Sequence, residues 1–222
     1  QTLFICTFYI KKTKLIKAVG NQKTYSIPSS VTYIGYSAFY GCSSLTSINI
    51  PNSVTSIGSQ AFHGCSSLTS INIPNSVTSI GQSAFSDCSA LKSINIPSSV
   101  TSIETKAFYG CSSLTSVNIP SSVTSIGWAA FSHCSALKTI VLHSNSIELG
   151  SNVFANCGSI YAISDNLKIA LSDGYLNYKQ GSNVNDYLGG TSWYTCGTPT
   201  ISYKGSTVSA YLWYSSLLDG NT

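Results

Sequence analysis

The chain has 222 residues, enough to bury a sizeable core, yet only 8% are charged against roughly 25% in an ordinary soluble domain. Its net charge of +4 is local: Lys11, Lys12, Lys14, Lys17 and Lys23 stand in the first 23 residues with no acid among them, and the other 199 residues (222 less 23) hold six Lys against seven acids. No basic stripe runs along that remainder, which argues against nucleic-acid binding. Arg and Met are both absent, and a chain without Met at position 1 reads as a processed form or a fragment.

The opening "LFICTFYI" is apolar but far shorter than the about 20 residues that span a bilayer. Its lysines come after the apolar run, whereas a signal peptide places them before it. Two strands are expected here, Thr2–Ile10 and Lys14–Val19, turning at "KKT" and covering the open end of the next unit in the chain.

From residue 25 onward the chain repeats itself. "CSSLTSINIPNSVTSIG" occupies Cys42–Gly58 and returns unchanged at Cys65–Gly81, with looser copies from Cys88, Cys111 and Cys134. Cys42, Cys65, Cys88, Cys111, Cys134 and Cys157 are each 23 residues apart, and Phe39 to Phe154, Leu45 to Leu137 and Pro28 to Pro120 keep the same step. A fixed period of this length marks a solenoid, whose coils bury their apolar faces only on one another. Within a coil, Ile48 and Ile50 alternate with Ser47 and Asn49 as in a strand with one buried face. Pro51 ends that strand because it has no N–H for the ladder. Val54 and Ile57 read as a second short strand, and Ala61, Phe62 and Cys65 have the spacing of a helical turn. Each coil is thus expected to be strand, turn, short strand and helical turn, stacked into parallel ladders with Phe, Leu and Ile columns inside.

The pattern "SVTSIGxxAFxxCSSLTSINIP", at Ser53–Pro74 and Ser76–Pro97, resembles the BspA-like class of leucine-rich repeat. The resemblance covers about residues 25–163. It implies a leucine-rich-repeat solenoid of about six coils, mostly β with short helical turns, acting as a binding or adhesion module rather than an enzyme. It also implies a secreted or cell-surface protein, chiefly of host-associated bacteria. The sixth unit, "VLHSNSIELGSNVFANCGSI", has His143 for the Pro and Ser146 for the Val, as though the array were closing.

The chain is therefore divided into cap strands over 1–24, a solenoid over 25–165, a C-terminal cap or linker over 166–195, and a last segment over 196–222. "CGTPTISYKGSTVSAYL" in that segment is similar to the opening of small β-sandwich modules that come after such repeats. Too few residues remain for a whole sandwich, so either a module begins here or one or two strands close the array.

Chemistry-bearing residues are sparse. Stacked Cys would hold Cβ atoms about 4.8 Å apart, beyond the usual disulfide limit near 4.5 Å, so the column reads as free thiols donating weakly to a neighbouring coil's carbonyl. Cys6 and Cys196 lie outside it, paired or free. No C-x-x-C spacing points to zinc, His63, His133 and His143 fall on different coils with no carboxylate beside them, and Asp87 and Glu104 are lone acids. No nucleophile elbow, triad or phosphate loop is present, so no catalytic residue, metal or cofactor is expected. Ser86 is expected to be exposed.

What remains is surface. Ser47, Asn49, Ser70, Asn72, Ser93, Asn95, Ser116 and Asn118 form two outward columns on the longer sheet, continued by Thr139 and Val141. They are the expected binding face for a host or microbial surface macromolecule, protein or glycan. The alternative site is the aromatic set Trp193, Tyr194, Tyr211, Trp213 and Tyr214. Other readings are a spacer displaying another module and, from the column Thr55, Thr78, Thr101 and Thr124, an ice- or crystal-surface binder. Solenoid ends and sheet edges offer a route to self-association.

Overall fold

The computed structural model describes residues 2–5, 8–143, 147–157, 161–164, 200–203 and 206–209. The proposed C-terminal cap, the five aromatic residues from Trp193 to Tyr214, Cys6, Cys196 and Ser146 lie outside the described residues.

The repeats form a parallel β-solenoid. One side carries β4 (Thr24–Ser26), β6 (Ser47–Asn49), β8 (Ser70–Ile71), β10 (Ser93–Asn95), β12 (Ser116–Ile119), β14 (Thr139–Leu142) and β16 (Tyr161–Ser164). A second carries the two-residue strands β5 (Tyr33–Ile34), β7 (Ser56–Ile57), β9 (Ser79–Ile80), β11 (Ser102–Ile103), β13 (Ser125–Ile126) and β15 (Glu148–Leu149). Register runs one whole repeat at a time, Ser93 beside Ser116 beside Thr139, so each column of the sequence is a column in space. The longer sheet is not continuous: β4 pairs with β6, and β8 opens a separate sheet running to β16. Nothing in the sequence marks that break, because the two coils are nearly identical there.

At the N-terminus the run Thr2–Ile10 is not one strand. β1 (Thr2–Ile5) pairs antiparallel with β2 (Phe8–Lys11), which pairs antiparallel with β3 (Lys14–Ala18), and β3 joins the solenoid parallel to β5. Folding back gives β2 a partner on the edge that one long strand would have left open. Phe8 is buried against Tyr25 and Phe39, with ring centroids 5.4 and 6.1 Å away, so it terminates the Phe column. At the other end of the chain, β17 (Thr200–Tyr203) and β18 (Ser206–Ser209) pair antiparallel.

The interior obeys the columns. Phe39, Phe62, Phe85, Phe108, Phe131 and Phe154 lie face to face, centroids 4.9–5.6 Å apart and planes within 15° of parallel. Leu45, Leu68, Leu91, Leu114 and Leu137 are fully enclosed beside them, as are Val54 and its equivalents.

The third side of each coil departs from expectation: no helix occurs among the described residues. In the segment after Gly58, alternate N–H groups serve two coils. Ala61 and His63 donate to Gly58 and Gln60 in their own coil, while Gln60, Phe62 and Gly64 donate to Gln82, Ala84 and Ser86 in the next. A helix would have to give up the second set. The alternation needs left-handed backbone at two places per coil. One column is Ser37, Gln60, Ser83, Lys106, Ala129 and Asn152, and the other is Gly41, Gly64, Asp87, Gly110, His133 and Asn156, with φ of 52–71° throughout. The first column lacks glycine, so inter-coil bonds outweigh a local conformational cost of roughly 1–2 kcal/mol per residue.

Side chains tie the coils further. Ser53, Ser76, Ser99 and Ser122 donate from Oγ to the carbonyls of Val31, Val54, Val77 and Val100 in the preceding coil, at 2.5–2.7 Å. The Thr55, Thr78 and Thr124 hydroxyls do the same to Thr32, Thr55 and Thr101, at 3.2–3.3 Å.

Candidate functional site

All eight residues of the expected face, Ser47, Asn49, Ser70, Asn72, Ser93, Asn95, Ser116 and Asn118, are exposed on the longer-strand side. The structure separates them into two groups: Ser47 and Asn49 sit on the β4–β6 sheet, and the other six belong to the sheet that begins at β8. Alternation places Ile48, Ile71, Ile94 and Val117 inward, which turns the intervening Ser and Asn to solvent. None of the amides of Asn49, Asn72, Asn95 and Asn118 engages another described residue. On the neighbouring side the Thr55, Thr78 and Thr124 hydroxyls are already committed to the backbone.

The turn side holds a second group that reading single repeats missed. Tyr40 stacks on His63 with centroids 4.8 Å apart and planes 18° from parallel. His63 Nε2 lies 3.7 Å from Asp87 Oδ2, so the expectation that no carboxylate stands beside a His is wrong. Asp87 is one coil and one residue further on, and stacking brings it alongside. Ser86 is not exposed either: it is 3% accessible, and its Oγ donates to Asp87 Oδ2 at 3.1 Å. Further along, the Lys106 ammonium sits 5.1 Å from the Tyr109 ring and 4.8 Å from the Trp128 ring, and Tyr109 lies 4.8 Å from His133. The sequence signal for this strip is variation among copies: the column Tyr36, Ser59, Gln82, Thr105, Trp128 changes at every coil.

A family model described as a BspA type leucine rich repeat region matches residues 17–111 and 55–172, in six copies. The chain belongs to the BspA-type leucine-rich repeat family. Its structure is similar to the T. pallidum leucine-rich repeat protein, at 26% identity over 88% of this chain and 100% of that one, with a TM-score of 0.64. It is also similar to a leucine-rich cell surface protein from Faecalibacterium prausnitzii A2-165, at 30% identity over 74% of this chain and 55% of that one, TM-score 0.60. A leucine-rich repeat protein from Eubacterium ventriosum shares the fold at 24% identity, over 90% of this chain and 52% of that one, TM-score 0.64. The chain thus spans about half the length of the last two. No curated protein matches it.

The cysteines of this BspA-type array form a ladder of free thiols, buried from Cys65 to Cys134 and partly exposed at Cys42 and Cys157. Cys65, Cys88, Cys111 and Cys134 each place Sγ 3.2 Å from the carbonyl of Phe39, Phe62, Phe85 and Phe108, one coil back. Burial pushes the Cys42 thiol up to about 11 and the Cys111 thiol up to about 12, while the bond from Cys88, with burial, raises Cys65 as well. A thiolate is the reactive form, so the raised Cys42, Cys65 and Cys111 thiols are held in their less reactive state, and burial shields Cys65, Cys88, Cys111 and Cys134 from reagents. Alkylation of native protein is expected to spare Cys65, Cys88, Cys111 and Cys134, and alkylation after unfolding to label all four. A disulfide between any two in freshly purified protein, found by mass spectrometry, would contradict the ladder. The pH dependence has a fixed sign. An unfolded thiol releases its proton near 9 and the folded Cys111 near 12. Its contribution to stability is whole below the first value and is lost as pH rises toward the second.

Two side-chain chains have the outline of catalytic groups without the access. Ser132 Oγ lies 2.9 Å from His133 Nδ1, and Asn156 Nδ2 lies 3.1 Å from His133 Nε2. Yet Ser132 is 3% accessible and its hydroxyl also reaches the Ala155 carbonyl at 3.0 Å, so no substrate carbonyl can approach it. In the other chain Ser86 donates to Asp87 and not to His63. Among the described residues no group of three His, Cys, Asp or Glu is placed to hold a metal ion, and no helix is long and apolar enough to cross a membrane.

Proposed function

We propose that this BspA-type chain is a non-enzymatic binding module of a secreted or cell-surface protein. On this reading it adheres to a host or microbial macromolecule, protein or glycan, through the Ser/Asn columns of its longer-strand side. The observation that carries the reading is the row of exposed Asn amides, repeated at every central coil and not engaged by any other described residue, beside the Thr55, Thr78 and Thr124 hydroxyls, which are tied to the backbone. Contacts to such a face are many weak hydrogen bonds, each contributing about 0.5–1.5 kcal/mol net. The cell-surface relative from F. prausnitzii supports the location. Self-association through solenoid ends or sheet edges belongs to the same proposal.

The test is a pair of variants. Asn72→Ala alone should leave binding almost unchanged, because one weak bond in a long row is lost. Asn72→Lys combined with Asn95→Lys should abolish it while unfolding remains that of the parent, since both side chains point to solvent. If binding survives the double change and is lost on removal of residues 193–222, the aromatic set Trp193, Tyr194, Tyr211, Trp213 and Tyr214 is the site instead. The spacer reading draws on the near-identity of the coils. The ice-binding reading is weakened, because the Thr55, Thr78 and Thr124 hydroxyls already donate to backbone carbonyls.

A further inference from the structure

Two exposed sides of this solenoid behave differently, and exposure alone does not explain it. The Ser/Asn columns are accessible and nearly invariant from coil to coil. The turn side is accessible too, but one of its columns holds five residue types in five coils, and three of the large exposed apolar side chains lie on it: Tyr36 at 63%, Tyr40 at 55% and Trp128 at 44%. From these observations we propose that the turn side is a second binding surface, a narrow aromatic ridge along the solenoid axis that takes a linear, uncharged polysaccharide.

The ridge is built in place, in two stretches of side-chain contacts. Tyr36 Oη lies 2.9 Å from Gln60 Oε1 and donates to it, Tyr40 lies flat on His63, and His63 meets Asp87 in the next coil. Lys106 then sits between Tyr109 and Trp128, holding the indole against its own coil's neighbour. Tyr36 and Trp128 occupy the same column four coils apart, about 20 Å at the coil spacing of about 4.8 Å. A β-linked sugar chain advances by about one ring per coil, so rings, amides and imidazoles spaced by coils meet successive sugars in register.

The surface selects against other ligands. Peptide addition as a strand needs free backbone groups. Here the N–H groups of Ser37, Phe39 and Gly41 are taken by Ser59, Ala61 and His63, and those of Tyr40 and Cys42 by Ser37 and Phe39. Recognition must therefore run through side chains. A globular protein needs a patch of about 800 Å² with a desolvated centre, whereas this strip is one or two side chains wide. Fixed charges on it are few, Asp87 and Lys106 with Glu104 at its edge, which suits a polymer without charge. The faces of Tyr and Trp carry both an apolar body and a polar tip, the combination that a sugar ring presents in mirror.

The experiment is affinity electrophoresis of the full chain in gels containing soluble xylan, mannan, mixed-linkage β-glucan or galactan, with heparin as the charged control. At least one neutral polymer is expected to retard the protein. Trp128→Ala and Tyr40→Ala should each weaken that retardation at least about tenfold, and Trp128→Phe should largely keep it. Retardation that is kept by Trp128→Ala and Tyr40→Ala but lost with Asn72→Lys and Asn95→Lys together would assign the polymer to the Ser/Asn face and overturn the ridge. Retardation by heparin alone, by no polymer, or equally for wild type and Trp128→Ala would overturn the proposal. Unchanged thermal unfolding of the variants establishes that lost retardation is not lost fold.

Discussion

Phe85→Ala is expected to cost about 3–5 kcal/mol, the transfer free energy of the ring plus the cavity left behind. Phe85 has no accessible surface and lies stacked between Phe62 and Phe108, at 5.2 and 5.5 Å. Its own backbone N–H is bonded to Ala107 and its carbonyl accepts the Cys111 thiol, so the surrounding coils cannot collapse without breaking the ladder. Asn72→Ala, at an exposed position, should change stability by less than about 0.5 kcal/mol. Denaturant unfolding of the two variants checks the pair. Ser86 would be the wrong control, because it is buried on Asp87. Equal midpoints for Phe85→Ala and Asn72→Ala would mean that the inward and outward faces are misassigned.

Glu104→Gly is expected to stabilise the protein, which is unusual for removing a side chain. Gly35, Gly58, Gly81, Gly127 and Gly150 hold this position in the other coils, and a Cβ there would come within 2.5–2.8 Å of the preceding coil. Glu104 carries that Cβ. At this coil the second sheet parts: strands run from β1 to β9 in one sheet and from β11 to β15 in another. Gly58, Gly81, Gly127 and Gly150 each donate to the Ile carbonyl one coil back at 2.7–2.8 Å, and the corresponding bond from Glu104 to Ile80 is missing. Restoring it together with the neighbouring Thr101 to Thr78 bond is worth about 0.5–1.5 kcal/mol per bond. Glycine's larger unfolded-state entropy removes about 0.5–1 kcal/mol of that gain. The reverse change, Gly81→Ala, should cost about 1–3 kcal/mol as an overpacked contact against backbone. A neutral or destabilising Glu104→Gly in denaturant unfolding would show that Glu104 does not cause the break.

The period made the buried columns readable. Phe, Leu, Cys and Val recur at 23 residues because each must sit on its own kind, and the thiol-to-carbonyl contact is a consequence of that stacking. The turn side was misread for a physical reason. Ala61, Phe62 and Cys65 have a spacing that fits one helical turn and equally fits linked β-turns, and the left-handed residues that decide between them are Gln60, Lys106 and Ala129, not glycines. The His63–Asp87 and Ser86–Asp87 contacts differ in kind. The first crosses from one coil to the next, so it emerges only when the coils are laid in register, whereas the second joins neighbours in sequence. The parted second sheet was legible in principle as one Glu in a column of Gly. The break between β6 and β8 was not, since the sequences on either side match. Both exposed faces were visible as polar columns, but only their hydrogen-bond states separate the free Asn amides from the committed Thr hydroxyls.

An array that binds through its side-chain surfaces, rather than merely spacing other modules apart, must show a ligand. The direct measurement is binding of the purified chain to a mixed array of host and microbial surface proteins and glycans. Saturable binding to at least one component is expected. That binding should be lost either with Asn72→Lys and Asn95→Lys together or with Trp128→Ala, according to the face engaged. No binding to any component, or binding indifferent to both sets of substitutions, would contradict a binding role for these faces.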